Sequence, residues 1–267
     1  MMNLHQRAYL CLIETDVELK RALVSELYKQ LNNGELTIEP IELADVNVAG
    51  RPAKPELVSP REVPKRKLGS DKGKAAAIHS FCHIEFNAIN LACDVAYRFQ
   101  YMPREFYQDW CRVASEEAYH FGLLHDRLQQ LGYQYGDFPA HNGLWELSQK
   151  TAYDVLDRMA MIPRVMEARG LDVTPMIQKK FASVGDQDTV AILDIILRDE
   201  ITHVEAGTRW FQYVCNERNL DAEPTYIELV KKYMKGDVHC PMHIDARKQA
   251  GFTNSELETL KQLCQRQ

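Results

Sequence analysis

Four glutamates and two histidines follow one another in this chain in an order that suits two metal ions. Glu117 and His120 form one Glu-x-x-His motif, and Glu200 and His203 form a second. Each motif follows a lone glutamate at almost the same interval: Glu85 lies 32 residues before Glu117, and Glu167 lies 33 before Glu200. Residues three apart share one face of an α-helix, so the glutamate and histidine of each motif can reach the same ion. In two-metal carboxylate bundles, two helices each supply one glutamate and two others each supply a Glu-x-x-His, all pointing into the core. The expectation is therefore two helical hairpins with four carboxylates and two imidazoles between them.

A ligand set dominated by carboxylate oxygen, with one imidazole per ion, suits iron or manganese and lacks the thiolates that favour structural zinc. Iron is the leading choice; two manganese ions, or iron with manganese, stay open because ligand type does not separate them. Glu116 and Asp199 immediately precede the motif glutamates. Each could accept the free ring N–H of a ligating histidine on the adjacent helix, or stand as a solvated acid on a helix flank.

The helices that must position these ligands show as apolar seams. Phe106, Trp110, Val113, Glu117, Phe121, Leu124, Leu128 and Leu131 recur at three-then-four spacing, the signature of a buried helical stripe. Glu200 lies in a similar seam from Leu193 to Val214, and Glu85 in one from Ile78 to Phe99. The run Ala152, Leu156, Met159, Pro163 and Glu167 repeats the pattern less cleanly. A carboxylate buried ionised and unpaired in such a seam costs several kcal/mol, and metal ions are the simplest compensation.

Outside the seams, Asp16 and Gly34 bracket a helix over residues 16–32. The stretch from Arg51 to Lys74 carries eight cations against three acids, with four prolines that keep it extended. It could grip a phosphate-rich partner such as a nucleic acid, although a solvated linker packed over the bundle is the commoner reading of such a segment. The first bundle helix is expected from near Lys74 to before Pro103, and the second to Gly132. The segment YQYGDFPAHN, residues 133–142, forms the long crossover between hairpins. His141 and Trp145 lie either near the site or, the favoured reading, in a loop pinned by an aromatic anchor. Pro163 should kink the third helix, and GLDVTP, residues 170–175, should end it just past Glu167. The fourth runs from about Asp188 to Cys215. Residues 224–234 and 255–263 read as tail helices, the second started by Asn254, Ser255 and Glu258. This gives three regions: 1–73, an N-terminal helix and basic extension; 74–217, the bundle; and 218–267, a helical tail.

The 267 residues, 45% hydrophobic, are ample for one main core. A formal charge of −6 draws the chain to no polyanion as a whole. The seven cysteines form no Cys-x-x-Cys pair, and no apolar run approaches the length needed to span a bilayer. Reduced thiols, no membrane partner and a cytoplasmic location are expected.

At Glu85, Glu117/His120, Glu167 and Glu200/His203, over residues 74–215, the chain resembles the ferritin-like superfamily of two-iron carboxylate proteins. The phrases RPAKPELVSPREVPKRKLGS, YGDFPAHNGLWE, MEARGLDVTP, RDEITHVEAGTRWF and DARKQAGF resemble a bacterial family of ferritin-like proteins of unknown function. More distantly, MEAR around Glu167 is similar to a bacterial hydroxylase of a modified adenosine in transfer RNA. The resemblance implies an all-α ferritin-like four-helix bundle with a long crossover and accessory N- and C-terminal helices. It implies that Glu117 and Glu200 bridge the ions, Glu85 and His120 complete one, and Glu167 and His203 the other. The activity it implies is that of a diiron oxidoreductase, a monooxygenase or oxidase, acting with dioxygen, an external electron donor and a small or nucleotide-derived substrate, in a monomer or dimer. Ferroxidase or iron-handling activity is the alternative, as is a rubrerythrin-like peroxide reduction, although the missing Cys-x-x-Cys pairs remove its usual electron relay.

Overall fold

The apolar seams become buried helix faces in the computed structural model of the protein, which describes residues 2–63, 67–235 and 238–264. Pro64, Lys65 and Arg66 of the basic stretch lie outside the described residues. Among the described residues the chain is all-α apart from one small parallel strand pair and an isolated bridge between Leu57 and Ala140, and it divides into two compact units, residues 1–149 and 150–267.

The first unit holds α1 (Leu4–Ile13), α2 (Val17–Asn32), α3 (Asp71–Arg98), α4 (Arg104–Gln130) and most of α5 (Gly143–Lys150). Asp16 caps α2, its carboxylate accepting the backbone N–H of Leu19, and Gly34 takes the positive φ that lets the chain leave the helix. Helix α1 and the pair β1 (Met2–Asn3) and β2 (Leu36–Thr37), with Met2 opposite Leu36, had no counterpart in the sequence reading. Asn3 starts α1 by accepting from the amides of His5 and Gln6. Helices α3 and α4 pack along their lengths, with α1 against α3 and α2 against α4. A fully buried Lys20 ties three segments together by donating to Leu12 O, Gly50 O and Asn90 Oδ1. The segment after α4 is pinned by an aromatic anchor, as favoured: the Trp145 indole is buried and donates to Asn47 O at 2.9 Å.

The second unit holds α6 (Val155–Met161), a π-helical segment (Ile162–Glu167), α7 (Ala168–Ser183), α8 (Gln187–Glu217), α9 (Ala222–Met234), α10 (Ile244–Gln249) and α11 (Asn254–Cys264). Here the helix break expected at residues 170–175 is corrected. The chain stays helical through Gly170 and Pro175, and Thr174 Oγ1 donates to Gly170 O at 2.8 Å. The turn that follows Pro163 is widened, so that the Ala168 N–H reaches back five residues to Pro163 O. The start of α11 is also corrected: Thr253 Oγ1 accepts from Glu256 N, and Glu256 Oε2 accepts from Thr253 N, a reciprocal capping box two residues upstream of the expected Ser255 and Glu258. Helix α10 was not anticipated.

Cys240 and Cys264 form a disulfide with Cα atoms 6.3 Å apart, which overturns the expectation of seven reduced thiols; Cys11, Cys82, Cys93, Cys111 and Cys215 are free and buried. The end of α11 returns beside the segment that follows α9, a proximity invisible in the spacing of the cysteines. Among the described residues no helix is long and apolar enough to cross a membrane.

Candidate metal centre

In the first unit, Glu85 sits at mid-length in α3 and Glu117 and His120 one turn apart in α4. All three are buried, Glu117 and His120 completely. The ring Nδ1 of His120 lies 3.5 Å from Glu117 Oε2 and 3.6 Å from Glu85 Oε2, and the three residues present ligand atoms within 4.8 Å of one another. Such separations are long for hydrogen bonds. Metal–ligand bonds of about 2.1 Å at angles of about 90 to 115° put two donor atoms about 3.0 to 3.5 Å apart. The cluster has the spacing of donors around an ion.

Electrostatics agree with the distances. Burial, followed by the charge of Glu117, pushes Glu85 well above the ordinary carboxylate range. Burial opposes the charged form of His120, yet the carboxylates of Glu117 and Glu85 outweigh it and raise the ring to about 11. Two carboxylates this close and this dry demand a positive charge between them, which protons or a metal ion can supply. This buried glutamate and histidine cluster could hold a metal ion.

The second unit repeats the motif geometry on α8. His203 is fully buried, and its Nδ1 lies 3.5 Å from Glu200 Oε1, with Glu200 14% exposed. Glu167 ends the π-helical segment, which packs against α8. That approach depends on Gly207, since a Cβ there would fall 2.2 Å from Pro163 Cβ and Cγ. Glu116 accepts from Arg112 at 2.7 Å, four residues earlier on α4, and Asp199 from its neighbour Arg198 at 2.8 Å.

The sequence reading gave no role to Arg164 and Arg247, both buried in the second unit. Their signal lay in the phrases around them, Arg164 just before MEARGLDVTP and Arg247 within DARKQAGF. Each is held by a carboxylate: Arg164 Nη2 donates to Glu256 Oε1 at 2.7 Å, and Arg247 grips Asp172 through two bonds of 2.9 and 2.6 Å.

Fold and site together define an all-helical protein with a buried glutamate and histidine cluster of metal-binding geometry. The chain belongs to the family described as protein of unknown function (DUF455), whose profile matches residues 13–258. A relative from Haemophilus influenzae, described as an uncharacterized protein, is 48% identical over 253 residues, 90% of this chain and 87% of the relative. No solved structure matches the chain.

Proposed function

We propose that the protein is a ferritin-like two-metal oxidoreductase that binds two iron ions and turns dioxygen on a small organic or nucleotide-derived substrate. One observation carries this reading: the Glu-x-x-His motif occurs twice, each time on a long helix, and each time the histidine Nδ1 lies 3.5 Å from the carboxylate of its own motif. Glu85 joins the first motif within its unit, and the matched interval assigns Glu167 to the second. The resemblance to two-iron carboxylate proteins assigns Glu117 and Glu200 as bridging ligands, with Glu85 and His120 completing one ion and Glu167 and His203 the other.

When bound, such a metal pair supplies open coordination positions and electrons for oxygen reduction, with the spent electrons returned by an external donor. The chain holds and orients the ions and excludes water. Phe86, Trp110 and Phe121, all buried on α3 and α4, wall the first cluster's helices with apolar surface. Glu116 and Asp199, besides their arginine partners, are proposed to orient the ligating rings.

The test is elemental analysis of the freshly purified chain, then anaerobic loading with ferrous iron and an oxygen pulse followed by absorbance. About two iron ions per chain and a transient absorbance on oxygen addition are expected. A chain that retains neither iron nor manganese would sink the proposal. Oxidation of iron that builds a mineral in a large hollow assembly would move the reading to iron handling.

A further inference from the structure

We propose that the second unit carries a separate oxyanion site, a cavity built around Arg164 that takes the phosphate or carboxylate head of a small molecule. The cavity has a volume of about 90 Å³, and Arg164, Arg169, Arg247 and His239 line it together with apolar side chains such as Val230 and Leu260. It brings together the segments MEARGLDVTP and DARKQAGF, which the metal ligands do not explain apart from Glu167.

Arg164 is completely buried. Its Nη2 is paired with Glu256, whereas Nε and Nη1 have no hydrogen-bond acceptor among the described residues. The rings of Tyr226, Phe252 and Phe211 surround the guanidinium at 4.0, 4.7 and 4.9 Å. Cation–π packing stabilises the charge but does not supply acceptors for in-plane N–H groups, and a buried donor left without one is destabilising. The position of the ion is fixed from the backbone side as well, because the Tyr226 hydroxyl donates to Arg164 O at 2.8 Å. Its missing acceptors must come from the cavity.

The charge balance selects the acceptor. Three arginines line the cavity against two carboxylates already engaged, Glu256 on Arg164 and Asp172 on Arg247, while the exposed Arg169 has no acidic partner among the described residues. Among the described residues one cationic charge is left over, which favours an anion above a neutral guest. The volume exceeds the share of a single water and accommodates an oxyanion head with a few carbon atoms against the apolar wall.

The full-length chain is titrated by calorimetry with inorganic phosphate and, separately, with acetate at constant ionic strength. Saturable binding of one equivalent is expected, and whichever anion binds identifies the head group. Arg169→Gln, at an exposed position, should weaken binding about fivefold, the size of one screened charge. Glu256→Gln, which removes the carboxylate sharing Arg164, should tighten it about tenfold. Glu117→Ala should leave it unchanged, which separates this site from the metal centre. Saturation by neither anion would mean that the cavity holds only water and would overturn the proposal. Binding indifferent to both Arg169→Gln and Glu256→Gln, or abolished by Glu117→Ala, would overturn it too.

Discussion

Gly207→Ala puts two opposed effects against each other at the point where the π-helical segment meets α8. Glycine inside a helix costs about 1 kcal/mol relative to alanine, so at a neutral position the substitution would stabilise α8 by about that much. Here the new methyl would lie 2.2 Å from both Cβ and Cγ of Pro163, while ordinary contact begins at 3.4 Å. The proline ring has no rotamer that clears the space, so the segment Ile162–Glu167 must retreat by roughly the missing 1.2 Å, 3.4 less 2.2. Overpacking of this kind costs about 1 to 3 kcal/mol, and a clash with a rigid ring on two atoms falls at the upper end. The net expectation is a loss of about 1 to 2 kcal/mol, read by urea unfolding as a lower midpoint at unchanged slope. Because Glu167 ends the displaced segment, metal analysis should show one ion weakened more than the other. A Gly207→Ala chain as stable as the parent would refute the wedge between Pro163 and α8, and with it the account of how Glu167 is aimed.

Glu117→Ala should abolish binding of both metal ions while circular dichroism stays helical; full metal stoichiometry in that variant would refute the bridging role. Glu256→Ala removes the partner of buried Arg164 and half of the capping box, and a loss of about 3 to 5 kcal/mol in urea unfolding is expected, with Glu256→Gln intermediate. Burial lowers Lys20 from 10.5 to about 8. Between those values the unfolded chain holds a proton that the folded chain has released, so stability rises with pH across that window. Relative to Lys20→Met, which cannot titrate there, the gain from pH 8 to 10.5 should reach about 3 kcal/mol, and a flat difference would show that the lysine is not desolvated. Gly50→Ala would place a methyl 2.2 Å from the backbone of Ile13, and a clear drop in thermal midpoint is expected because backbone cannot rotate away.

Much of this molecule is local, and what is local shows in the order of residues. The seam from Phe106 is buried as its spacing requires as far as Leu128, while Leu131 caps the end of α4 and is only half-buried, and Asp16 and Gly34 bound α2 because a cap and a positive φ are properties of a few adjacent residues. The meeting of Glu117 with His120, and of Glu200 with His203, follows from helix geometry alone. A Glu-x-x-His is legible wherever the helix is.

Other features depend on what lies far along the chain. Pro163 and the run GLDVTP looked like helix breakers because propensity describes an isolated helix. Gly207 on α8 leaves room for the ring of Pro163, and burial of Leu171 and Phe181 kept α7 intact through Pro175. Cys240 and Cys264 are 24 residues apart, and only the return of α11 brings them together. Arg164 sits 92 residues from Glu256 and 62 from Tyr226, so its burial, its ion pair and its cavity have no signature in spacing. The sequence by itself determined the long helices, their buried faces and the two Glu-x-x-His motifs, because each is set by interactions within a few turns. The tertiary structure alone decided the π-turn that ends at Glu167, the disulfide and the arginine cavity, because each arises from contacts between segments whose separation carries no periodic signal.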